Sequence, residues 1–198
     1  MESNRIEAFS DGVFAIIITI MVLELKVPHG SDLAALKPLL PVFLNYVLSF
    51  IYLGIYWNNH HHLFKACRRV NGGILWANLH LLFWLSLFPF VTGWLSENNF
   101  ASLPSALYGA VLLLAALAYY VLQNLLIAEQ GGRRSELAAA LGKDWKAKLS
   151  LILYAAAIGV SFVRPWIAGC IYVLVALIWF VPDRRIARVV HDVDRSPG

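Results

Sequence analysis

Residues 149–181 read LSLILYAAAIGVSFVRPWIAGCIYVLVALIWFV, and the number of membrane crossings in the chain turns on whether this stretch is one helix or two. As one helix it overshoots the roughly 17 to 25 residues that a bilayer core asks of a spanning helix, and it carries Arg164-Pro165 near its middle. Divided there, Leu149–Val163 and Trp166–Val181 hold only 15 and 16 residues, slightly short of a usual span. Pro165 ends a helix at the residue before it and the charge favours an exposed turn, so a hairpin is expected.

Working outward, the earlier apolar stretches with charged or turn-rich flanks are Ile6–Leu25, Pro38–Asn58, Ile74–Leu95 and Leu103–Ala128. Charge counting then decides the hairpin. With a cytosolic N-terminus and six crossings, Arg5, Lys65, Arg68, Arg69, Arg133, Arg134, Lys143, Lys146, Lys148, Arg184, Arg185, Arg188 and Arg195 lie inside. Only Lys26, Lys37 and Arg164 lie outside, three of the 16 basic residues. A single crossing over 149–181 would export the Arg184/Arg185/Arg188 cluster against the positive-inside bias. Both termini are therefore expected in the cytosol.

The composition agrees with a membrane chain. Of 198 residues, 60% are hydrophobic and 14% charged, and mean hydropathy is +0.66, against about 45–50% apolar and 25% charged in soluble domains. Disorder, a collagen-like fibre and a disulfide scaffold are excluded. The formal charge of +4 is read as topology rather than as a nucleic-acid footprint. Cys67 and Cys170 form no spacing motif, and no structural disulfide is expected. The first apolar segment carries Glu7, Asp11 and Glu24 and lacks a cationic leader, so it is expected to stay in the mature protein.

The reading is therefore all-α, a polytopic membrane protein with six transmembrane helices. One domain covers 1–182 and a short cytosolic tail covers 183–198. Residues 129–148 form the longest connection, with a short helix suggested over Glu136–Leu141. Trp94, Trp145, Trp166 and Trp179 are expected as interfacial anchors.

The first span departs from what lipid requires. Ser10 and Asp11 lie one to two turns inside it, and an ionisable residue at depth costs roughly 2.5–3.5 kcal/mol unless paired or hydrated. At 100° per residue, Phe9, Ile20 and Leu23 fall within about 40° of Ile16, with Thr19 about 60° away. Ser10 and Asp11 fall about 120° and 140° from Ile16 by the same geometry. The helix thus has an apolar face bearing a threonine and a separate polar face. Matching depth offers partners in Trp57, His60 or His61 at the inner end of the second span, and in Asn78 one turn into the third. Three consecutive histidines, His60-His61-His62, point about 100° apart on a helix and suit hydrogen bonding better than one metal ion.

Arg5-x-x-x-Phe9-Ser10-Asp11-Gly12-Val13-Phe14-Ala15-Ile16-Ile17-Ile18-Thr19, followed by Trp57-x-x-His60-His61, resembles the bacterial transmembrane protein 175 family, relatives of the lysosomal potassium channel of animals. The resemblance runs through all six spans. It implies a homotetramer in the cell (plasma) membrane that conducts potassium without a T-V-G-Y-G filter, and this sequence has none. It further implies that four first helices line the pore. Ile16 would be the narrowest constriction, Thr19 a hydroxyl layer tied to selectivity, and Ile20 and Leu23 further apolar pore positions. Arg5, Phe9, Ser10, Asp11, Trp57, Asn59, His60, His61 and Asn78 would form a polar scaffold. A ring of isoleucines closes a pore by dewetting. Neither a cofactor nor a bound metal is implied, only the permeant potassium ion.

Two other readings stay open at the level of residues. One is an intramembrane hydrolase using Ser10, Asp11 and His60 or His61, although no G-x-S-x-G or H-E-x-x-H occurs. The other is a proton-coupled transporter with Asp11 and the histidines as relay, although neither repeats nor broken helices are evident in the sequence.

Overall fold

A computed structural model describes residues 3–67, 70–132 and 145–180, and these are helical with short links. The elements are α1 Ser3–Leu23, a 3-10 helix Leu33–Leu39, α2 Leu40–Lys65, α3 Gly72–Ser86, α4 Phe88–Glu97, α5 Ser102–Glu129, α6 Trp145–Ser161 and α7 Pro165–Phe180. Four stretches, Asn4–Leu23, Leu33–Lys65, Gly72–Glu97 and Ser102–Glu129, are long and apolar enough to cross a membrane. The expected Glu136–Leu141 helix, the Arg184/Arg185/Arg188 cluster and the 183–198 tail lie outside the described residues.

Residues 149–180 form a hairpin. Backbone bonds Val163 N to Val160 O (3.0 Å) and Arg164 N to Val160 O (2.8 Å) tighten the end of α6. Pro165 then opens α7, where its missing N–H leaves nothing unpaired. Arg164 is exposed at the turn. At 1.5 Å per residue the two arms are about 24–26 Å long, a little under the hydrocarbon thickness.

The expected third span, Ile74–Leu95, is not one continuous helix: Leu87 separates α3 from α4. Pro89 lacks the N–H that would bond Leu85 O, and its ring crowds that carbonyl. The second helix begins later and ends later than expected, at Lys65, because Pro38 is taken up by the 3-10 helix. Asp32 caps that helix by accepting from Ala35 N at 3.1 Å. Asn71 caps α3 by accepting from Ile74 N at 3.0 Å, and its amide donates to Glu129 Oε2 at 2.7 Å, tying α3 to the end of α5. Beyond Glu129 the chain turns through Gly131 and Gly132, whose φ of 106° and 73° suit residues without a Cβ.

The core lies between α2, α3, α5, α6 and α7, where Leu53, Ile74, Leu81, Leu85, Leu112 and Tyr172 are buried. Small residues on α5 (Ala106, Gly109, Ala115, Ala118) let its neighbours approach closely. α1 stands at the edge, packing against α2, α3 and α4. It buries only one side, formed by Ile6, Ser10, Phe14, Ile17 and Met21.

Candidate functional site

The buried residues of α1 recur at spacings of three and four, which places them on one face at 3.6 residues per turn. The other side carries Ile16 (60% exposed), Ile20 (43%) and Leu23 (75%), with Gly12 and Thr19 also exposed. The Thr19 hydroxyl donates to Ala15 O at 2.8 Å. Its proton therefore points back along the helix and its lone pairs outward, so this face presents an oxygen acceptor one turn from Ile16.

Two rungs fasten α1 to α2. Trp57 Nε1 donates to Asp11 Oδ1 at 2.9 Å, and His61 Nδ1 pairs with Glu7 Oε1. Four residues up α2 matches four residues down α1, as antiparallel neighbours require, and the Trp57 and His61 rings stack 6.2 Å apart along the same stripe. A third link runs inward. Asn78 Nδ2 donates to Ser10 Oγ at 3.0 Å, and Asn78 Oδ1 lies 2.7 Å from His60 Nε2. With the amide so oriented, His60 carries its proton on Nε2. Its ring is held between Phe14, edge-on at 5.9 Å, and Phe64, at 4.5 Å.

Six of the nine scaffold positions are thereby joined, in three separate links rather than one cluster. Arg5 is exposed and takes no part. Phe9 is 54% exposed, because one residue before Ser10 turns it about 100° away from the bundle. Asn59 sits beside His60 but on another side of α2. Its carbonyl accepts from Tyr119 Oη at 3.4 Å. The sequence reading missed Glu7, although it stands one turn before Asp11 on the same face and the histidine run lies at its depth. It also missed Glu24, just past the end of α1, whose side chain lies beside Gly93 of α4.

The hydrolase geometry is not assembled here. Ser10 Oγ receives the Asn78 amide rather than a histidine nitrogen, and the Asp11 carboxylate is turned to Trp57. The three histidines diverge, His60 to Asn78 and His61 to Glu7, and no three metal-type ligands converge among the described residues. Trp179, expected as an interfacial anchor, instead donates inward to Ser150 Oγ at 2.8 Å. Trp145 and Trp166 are 58% and 68% exposed.

Residues 5–89, which hold both rungs and the Asn78 link, match the family model described as endosomal/lysosomal potassium channel TMEM175. A potassium channel of Chryseobacterium sp. (strain P1-3) is 56% identical over 192 residues, covering 97% of this chain and 100% of its own length. This chain belongs to the TMEM175 family. The solved structure of a lysosomal potassium-selective channel TMEM175 homolog from Chamaesiphon minutus superposes with a TM-score of 0.79 at 28% identity, over 91% of this chain and 97% of that one. The human endosomal/lysosomal proton channel TMEM175 is 40% identical over 81 residues, 35% of this chain and 16% of the human protein. With the Chryseobacterium and Chamaesiphon proteins the chain thus aligns nearly end to end, and with the human protein only over a segment.

Proposed function

We propose that this protein forms a potassium channel of the cell membrane in which four copies set their α1 helices around one axis. Residues 1–182 act as a single channel unit with both ends in the cytosol, and 183–198 as a short tail. The observation that carries this reading is the division of α1. One face is anchored to its own bundle through Ser10, Asp11 and Glu7, while the opposite face leaves Ile16, Ile20 and Leu23 uncovered.

On this reading the anchors hold the helix and the free face meets the ions. Four Ile16 side chains make an apolar neck from which water withdraws, and hydration of the neck opens it. The outward lone pairs of Thr19 replace part of the hydration shell of a desolvated cation one turn further along. Glu7, Ser10, Asp11, Trp57, His60, His61 and Asn78 serve positioning.

Purified protein in liposomes is expected to dissipate a potassium gradient, with a reversal potential set by potassium over sodium. Ile16→Asn wets the neck and raises the flux. Thr19→Ala lowers the potassium preference while leaving flux in place. Absence of potassium flux from well-folded assemblies, or an Ile16→Asn protein with unchanged flux, overturns the proposal.

A further inference from the structure

Between α2, α5, α6 and α7 lies a narrow crevice, open at one side, whose walls include Tyr52, Tyr56, Asn59, Tyr119, Tyr154 and Trp179. It has no part in the α1 anchors. Among the described residues its lining holds no charged side chain, so an ammonium or carboxylate drawn against these walls would stay unpaired at a cost of several kcal/mol. Most of the surface is ring face and aliphatic carbon. Trp179 is fixed as a wall by its bond to Ser150 Oγ, which itself donates to Lys146 O at 2.8 Å, so these polar groups are already satisfied.

Tyr56 is different. It is 9% exposed, lines the crevice, and packs edge-on to Tyr119 at 6.0 Å. Among the described residues its hydroxyl makes no hydrogen bond, and it is not one of the polar atoms sealed away from the surface. The neighbouring tyrosine on the same face of α2, Tyr52, donates to Tyr172 O at 2.6 Å. An aromatic crevice in which the Tyr56 hydroxyl is unused suits a molecule that is apolar along its length and carries a hydrogen-bonding group at its end.

We propose that this crevice binds a neutral hydroxylated amphiphile, an alkyl chain ending in an alcohol, and that occupancy is felt at α1 through α2. Tyr56 and Asn59, in the crevice, alternate along α2 with Trp57, His60 and His61, which hold α1 and Asn78. A chain wedged against one side of α2 presses on the residues that position the other helix. In the proposed orientation Asn59, Ser150 and Trp179 lie toward the cytosolic ends of their helices. The alcohol therefore enters from the inner leaflet, whether it belongs to a lipid or is free. The coupling rests on the channel reading; the binding does not.

The test uses full-length protein in liposomes and an eight-carbon alkanol bearing a photoreactive diazirine. Saturable adducts on crevice residues, displaced by unlabelled octanol but not by octane, are expected. Tyr56→Phe weakens that displacement about fivefold, the effect of one neutral hydrogen bond, and Ala116→Leu, which fills the crevice, removes the adducts. Octanol alters potassium flux in the wild type and leaves Ala116→Leu unaffected. Adducts spread evenly over lipid-facing positions such as Val121 and Ile152, equal in wild type and Ala116→Leu, overturn the binding. Crevice adducts without any octanol effect on an active channel overturn the coupling. Crevice adducts on a protein that passes no potassium overturn the channel reading and leave the binding standing.

Discussion

A Cβ placed on Gly109 would overlap Tyr172 Oη and come within 3.0 Å of Ile158 Cγ1. The tyrosine cannot yield, because its hydroxyl is held to Ser105 O at 2.9 Å and its backbone carbonyl receives Tyr52. Gly109→Ala is therefore expected to destabilise the bundle by about 1–3 kcal/mol, as overpacking in a close-packed interior does. Tyr172→Phe in the same chain should recover part of it, read as thermal unfolding in detergent. Gly12 is the contrasting case, with nothing within 4 Å of its Cβ position. Alanine is favoured over glycine in a helix by about 0.5–1 kcal/mol, so Gly12→Ala should unfold no earlier than wild type. Neither difference is legible in the sequence, where both are single glycines in apolar helices. What separates them is a tyrosine from the far end of the chain.

At the scale of elements, α1 is held by short polar links rather than by a broad apolar seam. Asp11→Ala leaves the Trp57 indole N–H without its acceptor, and Trp57→Phe leaves the carboxylate without its donor. Because Trp57 is 45% exposed, the coupling in the double-mutant cycle should sit near the low end for a charged hydrogen bond, about 1.5 kcal/mol, measured by unfolding in detergent. Beyond the C-terminal end of α1, Lys26 pairs with Glu97, and the hydrogen bond it donates to that carboxylate holds the lysine above its ordinary pKa. A raised lysine contributes at every pH below its unfolded value and loses the contribution only as pH rises through the folded one. Wild type and Glu97→Gln should therefore show parallel unfolding curves between about pH 6 and 8. The meeting of Asp11 with Trp57, and of Ser10 with Asn78, was legible because antiparallel spans bring residues of equal depth together and polar groups in lipid need partners. The break at Leu87 was not, since Pro89 stands in an apolar run that reads as continuous, and proline is tolerated in membrane helices where neighbours satisfy the freed groups. Beyond the break, Asn45 of α2 holds α4, donating to Thr92 O at 2.9 Å and Ser96 Oγ at 2.8 Å.

For the whole molecule the decisive quantity is what one chain leaves uncovered. Within the chain 28% of the α1 window is buried, the same share as in Leu33–Lys65 and against 50% for the α3–α4 stretch, so α1 is among the helices with most surface to give to something else. Lipid and further copies make opposite forecasts for two adjacent residues. Ile17 is 3% exposed and sealed against its own bundle, and Ile16 is 60% exposed on the other side. With Cys170, the exposed native thiol, replaced by serine, Ile16→Cys and Ile17→Cys are introduced one at a time into protein in liposomes. If four α1 helices ring an aqueous path, a membrane-impermeant methanethiosulfonate reacts with position 16 and cuts the potassium flux. Mild oxidation then links two copies through that position, and native mass measurement of the unlinked protein reports four chains. Position 17 stays unreactive, because its thiol points into packed helix rather than into water. Were the free face of α1 turned to lipid, neither position would meet the reagent, since hydrocarbon excludes a charged thiol reagent as firmly as a protein core does. Reaction at 17 but not at 16 would require α1 to stand rotated by about 100° from the placement its buried anchors give it.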